Sequence, residues 1–274
     1  MAMRKRRLTL APAALTALAI PLAAMAMKLP SRPQQKSAHV ALSAPAWQSG
    51  AYWADFDHHL LVDFADLAHF RAANRKLGPP ADGADRVVFL GDSITQGWKL
   101  QRSFPGKPYV NRGISGQTTS QILLRFRQDV IDLHPRVVVI LAGTNDLAGN
   151  TGPVSLAQVE GNLASMAQLG RANGIGVVLC SLLPTVHYWW HPQVPNPAAR
   201  IAALNRWLQS YVARHHYEYV NYYAAMKTSS GALKHALSPD GVHPSPAGYA
   251  VMAPLAQAAI RAALAEEQGR SPTP

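Results

Sequence analysis

The chain has 274 residues, 48% hydrophobic and 15% charged, which suits one α/β domain with a substantial core and excludes a disordered chain. Its single cysteine, Cys180, rules out an internal disulfide framework and a cysteine-based zinc site. The formal net charge of +11 invites a nucleic-acid partner. Apart from one N-terminal quartet, however, the basic residues are scattered and form no binding run.

In chain order, Arg4, Lys5, Arg6 and Arg7 precede an apolar stretch from Leu8 to Met27, with small residues at Ala24-Met25-Ala26. A basic n-region, an apolar h-region and small residues before a cut make residues 1–26 an export signal, placing the protein in the periplasm or outside the cell. Cleavage would lower the net charge by four, to +7. The alternative is a retained membrane anchor through residues 8–27, because this stretch approaches the roughly 20 residues a span needs. Pro12 and Pro21 interrupt it and favour cleavage. Residues 27–50, rich in Pro, Ser, Gln and Ala, read as a flexible tether. Residues 51–85 read as an N-terminal helical extension, its helix running from Phe64 to Leu77 until Gly78-Pro79-Pro80 breaks it.

From Arg86 the rhythm changes. Short apolar runs at Val87–Leu90, Val137–Ala142, Val177–Leu183 and Tyr217–Asn221 alternate with helical patterns at Thr119–Leu133, Ser155–Asn173 and Ala198–His215. A last helical pattern covers Ser245–Glu266. The first three runs are Val-, Ile- or Leu-rich, as strands buried on both faces are. This alternation predicts a doubly wound parallel sheet flanked by helices over residues 86–266, with a disordered tail at 267–274. Cys180, inside the third run, reads as a small core residue.

In such sheets ligands bind beyond the carboxyl ends of the strands. Four sequence features fall at or near that edge. Gly91-Asp92-Ser93-Ile94-Thr95 follows the first run, and a serine there leaves the strand at a turn with its hydroxyl exposed. An Asp-Ser pair in that position can equally be a helix cap. Asn111-Arg112-Gly113-Ile114-Ser115-Gly116 reads as a loop, whose glycine at 113 lets the backbone approach a ligand. Gly143-Thr144-Asn145-Asp146 follows the second run: Asn145 can offer a side-chain N–H, and Asp146 can brace the loop. Asp240-Gly241-Val242-His243-Pro244 sets a carboxylate three residues before an imidazole, which can fix one ring nitrogen and leave the other to face a nucleophile.

Taken together and in this order, the four features resemble the SGNH (GDSL-type) hydrolase family over the region from about Arg86 to the last helix. Residues 28–85 contribute nothing to the resemblance, and Ile94 stands where the family motif has leucine. The resemblance implies the flavodoxin-like three-layer fold of that family and a Ser-His-Asp esterase with no metal or organic cofactor. It matches the family's Ser, Gly, Asn and His to Ser93, Gly113, Asn145 and His243. Ser93 would be the nucleophile, His243 the base and Asp240 its orienting acid. The N–H groups of Ser93 and Gly113 and the Asn145 amide would form the oxyanion hole, with Asp92 and Asp146 in support.

Other residues are assigned more cautiously from the sequence. The histidine pairs His58-His59 and His215-His216 lack metal-site spacing and read as surface or packing residues. In Pro184–Pro192 the residues His187, Tyr188, Trp189 and Trp190 either line a substrate pocket or pack onto the domain, and Trp98 carries a weaker suggestion of the same kind. The family's substrates include lysophospholipids, thioesters, carbohydrate acetates and aryl esters, so the motif does not select one. The tether and aromatic loop favour a short acyl group, such as acetyl, on a carbohydrate or small alcohol. A lysophospholipase or lipase-like activity is the alternative, with membrane contact if the N-terminal segment is retained. A catalytically silent glycan- or ester-binding module is the reading from another class, and no nucleic-acid partner is expected.

Overall fold

The computed structural model describes residues 50–269; the signal and the tether expected before Gly50, and residues 270–274, lie outside the described residues. Two helices come first, α1 (Gly50–Val62) and α2 (Arg71–Leu77). The strands are β1 (Val87–Gly91), β2 (Tyr109–Gly113), β3 (Val137–Leu141), β4 (Gly176–Cys180) and β5 (Glu218–Val220). Short helices α3 (Ser93–Gln96) and α4 (Leu100–Ser103) join β1 to β2, and α5 (Thr119–Leu124) and α6 (Phe126–Asp129) join β2 to β3. α7 (Thr144–Ala148) and α8 (Leu156–Ala172) lead to β4, α9 (Ala198–His215) leads to β5, and α10 (Tyr222–Met226) and α11 (Pro246–Gly269) follow.

All strand pairs are parallel and the sheet order is β2-β1-β3-β4-β5. The chain order reverses direction between β1 and β3, so the crevice beyond their carboxyl ends is where this topology places a ligand. Alternate strand residues feed opposite layers, as a side-chain period of two requires. Val88, Leu90, Val138 and Ile140 pack with Ile122, Phe126, Leu163 and Leu204 on one face. Val87, Phe89, Val139 and Leu141 pack with Trp98, Tyr222, Met252 and Ile260 on the other. The α/β three-layer fold expected from the rhythm of apolar runs is the one present. Cys180 is buried in the second layer, and burial pushes its thiol up to about 12.

Several stretches differ from the expectations. β2 was read as a loop because Tyr109-Val110-Asn111-Arg112-Gly113 carries few apolar residues; it is an edge strand, paired only with β1. The helix expected over Thr119–Leu133 breaks at Arg125 into α5, α6 and a 3₁₀ turn at Ile131–Leu133. There the Arg125 guanidinium turns inward to the Gly91 carbonyl, Gln117 and Asp129. The helix expected over Phe64–Leu77 forms only as α2, because the Asp63 carboxylate accepts from the N–H groups of Leu67 and Ala68 and holds a turn instead. Preceding that turn, α1 was not anticipated. At the other end, α11 runs on to Gly269, past the expected end at Glu266.

The extension is bonded to the sheet domain. Gln117, Gln121 and Gln128 donate to the carbonyls of Ala65, Phe64 and Leu67. Asn74 bridges Asp129 and Arg112.

Candidate active site

Ser93 is the first residue of α3, separated from the end of β1 by Asp92 alone. The Asp92 carboxylate caps α3 by accepting the Ile94 N–H at 2.9 Å. Gly91 lets the turn fold back tightly: a Cβ there would lie 2.2 Å from Thr95 Oγ1 and 2.4 Å from the Leu141 carbonyl oxygen. From behind, the Tyr249 hydroxyl donates to the Ile94 carbonyl at 2.8 Å. Asp92 is buried, which pushes its carboxyl up to about 6; the Ile94 N–H and His243 oppose that rise, while Asp146 adds to it.

His243 arrives from the loop before α11. Its Nε2 lies 2.9 Å from Ser93 Oγ, and its Nδ1 lies 2.7 Å from Asp240 Oδ2. The other Asp240 oxygen accepts the N–H groups of Val242 and His243 and the Ser238 hydroxyl. Partial burial of Asp240 works against ionisation, but the hydrogen bonds and charge of His243 outweigh it and hold the carboxyl well below its ordinary value. Serine, imidazole and carboxylate therefore form one line, with the carboxylate ionised and anchored to its own loop.

Asn145 lies in the first turn of α7, beyond the end of β3. It is 3% exposed, its Nδ2 donates to the Gln117 carbonyl at 2.9 Å, and its Oδ1 accepts from Asn150 Nδ2 at 3.1 Å. Asp146 beside it accepts the Thr119 N–H at 2.9 Å and the Thr119 hydroxyl at 2.6 Å, pinning the start of α5 to α7. Burial raises the Asp146 carboxyl, and the two Thr119 bonds partly offset that.

Gly113 is placed differently from the expectation. Its N–H donates to Asn111 Oδ1 at 2.9 Å, and a Cβ there would lie 2.1 Å from the Gln96 nitrogen. The absent side chain lets β2 pack against α3, and the N–H is already engaged. Three residues on, Gly116 has φ +79, and its carbonyl accepts from Asn150 Nδ2 at 2.9 Å. Its N–H has no acceptor among the described residues. The ring of Phe56 from α1 sits over Gly116, 2.7 Å from where a Cβ would be. The extension thus reaches the loop that follows β2, which nothing in its sequence signalled.

The aromatic candidates separate. Trp98 is 3% exposed, stacks on Tyr249, meets Phe89 edge-on and donates to Ser103 Oγ; it is a core residue because α3 turns it away from the crevice. Tyr188 is fully buried beneath Trp190 and does not line an open site. Trp190 is half-buried, 6.5 Å from the His243 ring, and its Nε1 donates to Asn150 Oδ1 at 2.9 Å. Trp189 packs edge-on against Trp190, and His187 points to solvent. The sequence gives no role to Asn150 or Asn111: Asn150 lies just past a helix in no motif, and Asn111 stands in the second motif, where only the bond it accepts from the Gly113 N–H shows what it does.

A family model for the GDSL-like lipase/acylhydrolase family matches residues 89–251, more than half of the chain. Esterase TesA of Pseudomonas aeruginosa is 32% identical over 178 residues, which cover 59% of this chain and 81% of that protein. The uncharacterized lipoprotein YqeF of Bacillus subtilis is 33% identical over 124 residues, 38% of this chain, and the match spans about half (51%) of that relative. The crystal structure of a GDSL-like lipase from Bacteroides thetaiotaomicron is 42% identical with a TM-score of 0.71, covering 73% of this chain and 100% of that one.

Proposed function

Because this chain belongs to the GDSL-like lipase/acylhydrolase family and is a carboxylic ester hydrolase, we propose that it is an exported serine esterase acting on short acyl esters of carbohydrates or small alcohols. The observation that carries the mechanism is the line from Ser93 Oγ through His243 to Asp240, with both contacts below 3 Å. His243 Nε2 takes the Ser93 proton as Oγ attacks the ester carbonyl. Asp240 holds Nδ1–H and stabilises the imidazolium. The oxyanion is held by the N–H groups of Ser93 and Gly116 and by the second N–H of the Asn145 amide. Gly116 takes the place first assigned to Gly113, whose N–H is already bonded to Asn111. The tetrahedral intermediate collapses as the imidazolium protonates the departing alkoxide, leaving an acyl-serine. Water, deprotonated by His243, then releases the acid and restores Ser93.

The same proton transfer locates the alcohol. It must leave beside His243, so it lies against Trp190, an aromatic face that suits a sugar ring or another flat alcohol. On the acyl side, Trp98 and Tyr188 are packed into the core. A cavity of about 500 Å³, lined by Lys99, Leu100, Gln101, Arg102, Tyr109 and Asn111, has no triad residue in its wall. Export is supported by the basic, then apolar, N-terminus and by the lipoprotein relative. One observation favours a lysophospholipid instead. Leu61 is 86% exposed, and Val62 and Phe64 beside it are also exposed, at the end of the helix that carries Phe56 to Gly116. Turnover of aryl acetate, aryl palmitate, acetylated xylan and lysophospholipid by the same preparation decides between them. Acetate esters dominate on the proposed reading; dominant long-chain or lysophospholipid turnover overturns it.

A further inference from the structure

Asn150 bonds to two of the three residues proposed as oxyanion donors, Asn145 and Gly116, without being a donor itself. We propose that it is a positioning residue that fixes which edge of the Asn145 amide faces Ser93 and holds in place the loop that carries the Gly116 N–H, with the Trp190 indole as its anchor. The inference rests on the oxyanion reading above.

The left-handed Gly149 ends α7, and the Asn150 N–H then turns back to the Asn145 carbonyl at 3.0 Å. The side chain sits in the middle of the site's polar network. Its Nδ2 donates to the Gly116 carbonyl at 2.9 Å and to Asn145 Oδ1 at 3.1 Å, and its Oδ1 accepts from Trp190 Nε1 at 2.9 Å. Both amide protons are therefore used.

This chain of bonds has a fixed polarity. A side-chain amide can rotate half a turn about its last bond and exchange its oxygen for its NH₂. If Asn145 did so, it would present an oxygen to a developing negative charge. An indole N–H can only donate and a peptide carbonyl can only accept, so Trp190 and Gly116 leave Asn150 one orientation. Asn150 Nδ2 must then meet the oxygen of Asn145. On the other edge the Gln117 carbonyl requires the nitrogen. Asn145 is held in one sense from both sides, and its remaining proton is left for the oxyanion. The bond to the Gly116 carbonyl likewise holds the peptides of that loop in place.

The decisive variant is Asn150→Asp, which is nearly isosteric. It keeps an acceptor for Trp190 but sets a carboxylate against two oxygens. We expect kcat to fall about 100-fold, with KM changed by less than about threefold and the melting temperature nearly unchanged. Asn150→Ala, which leaves Asn145 held from one side, loses roughly 10-fold by the same reasoning. Trp190→Phe keeps an aromatic ring, although a smaller one, and removes the N–H donor to Asn150, so it loses a few-fold. Acting through Asn145 also makes the effects non-additive: in an Asn145→Ala background, Asn150→Asp costs less than about 10-fold more. Wild-type kcat in the Asp variant, a change confined to KM, or fully multiplying losses in the double variant overturns the inference. Should the Asp variant fail to fold, wild-type kcat in both Asn150→Ala and Trp190→Phe overturns it equally. The underlying mechanism fails by a different result, wild-type turnover in Ser93→Ala.

Discussion

The two sides of Ser93 are built on different principles. Behind it, Gly91, Asp92, Gly113, Trp98 and Tyr249 form a back wall. Its glycines exist because backbone must pass where a Cβ would collide, and its polar groups are bonded inward. In front stand His243, Asn145, Gly116 and Trp190, drawn from four separate segments of the chain. The back wall is mostly local in sequence and fixes where the hydroxyl is; the front is assembled from afar and, on the proposed mechanism, supplies the chemistry. Substitutions should therefore separate cleanly, the front costing turnover and the back costing stability.

The largest separation is expected at the nucleophile. Ser93→Ala should lower kcat by about 10⁴-fold or more while leaving the melting temperature within a few degrees, since it removes one partly exposed hydroxyl. Steady-state kinetics and thermal melts of the same sample check both halves. Next come the two tryptophans. Trp98→Ala empties a buried aromatic site and should cost about 3–5 kcal/mol of unfolding free energy in urea titrations. Trp190→Ala should melt nearly as wild type and lose most on a carbohydrate ester. Equal destabilisation of the two would erase the distinction drawn between them.

These tryptophans also show how far the sequence could be read. Composition treats them alike, and the sequence gives Trp98 only a weaker suggestion of lining a pocket than the Pro184–Pro192 loop. The structure separates them, because Trp98 is buried under the sheet while a loop beyond the end of β4 brings Trp190 to His243. The central sheet was legible because strands buried on both faces must be continuously apolar. β2 was not, because this edge strand carries the polar pair Asn111 and Arg112 at its centre and imitates a loop. The three side chains that the structure brings into line, Ser93, His243 and Asp240, were legible as candidates because they occupy short contiguous runs. Gly113 and Gly116 lie three residues apart in one such run, and only the bond to Asn111 separates the packing glycine from the one with an available N–H.

That pair gives the third prediction. Gly113→Ala places a Cβ into the backbone of α3 and should cost about 3 kcal/mol or more in stability, lowering activity only through unfolding. Asn145→Ala should instead lower kcat about 100- to 1000-fold in a protein that melts normally. Loss of kcat without loss of stability in the Gly113 variant would return the oxyanion role to that residue.

The smallest effect belongs to Asp92. Its carboxyl is raised from 3.8 to about 6 in the folded protein, so the folded state holds that proton more tightly than the unfolded one. Its stabilising contribution is complete below about pH 3.8 and is lost as pH rises through about 6. Asp92→Asn keeps an oxygen for the Ile94 N–H and carries no charge. Its stability relative to wild type should therefore rise by at most about 3 kcal/mol between pH 4 and pH 7 in denaturant titrations. A gap that is flat across that range would contradict the assignment.

The central claim, that Ser93 is the nucleophile of an active esterase, is tested most directly by a fluorophosphonate on the folded protein followed by peptide mass spectrometry. The account predicts one covalent adduct, on the peptide carrying Ser93, absent after Ser93→Ala and strongly slowed by His243→Ala. An unlabelled Ser93 in folded protein that still hydrolyses esters would contradict it.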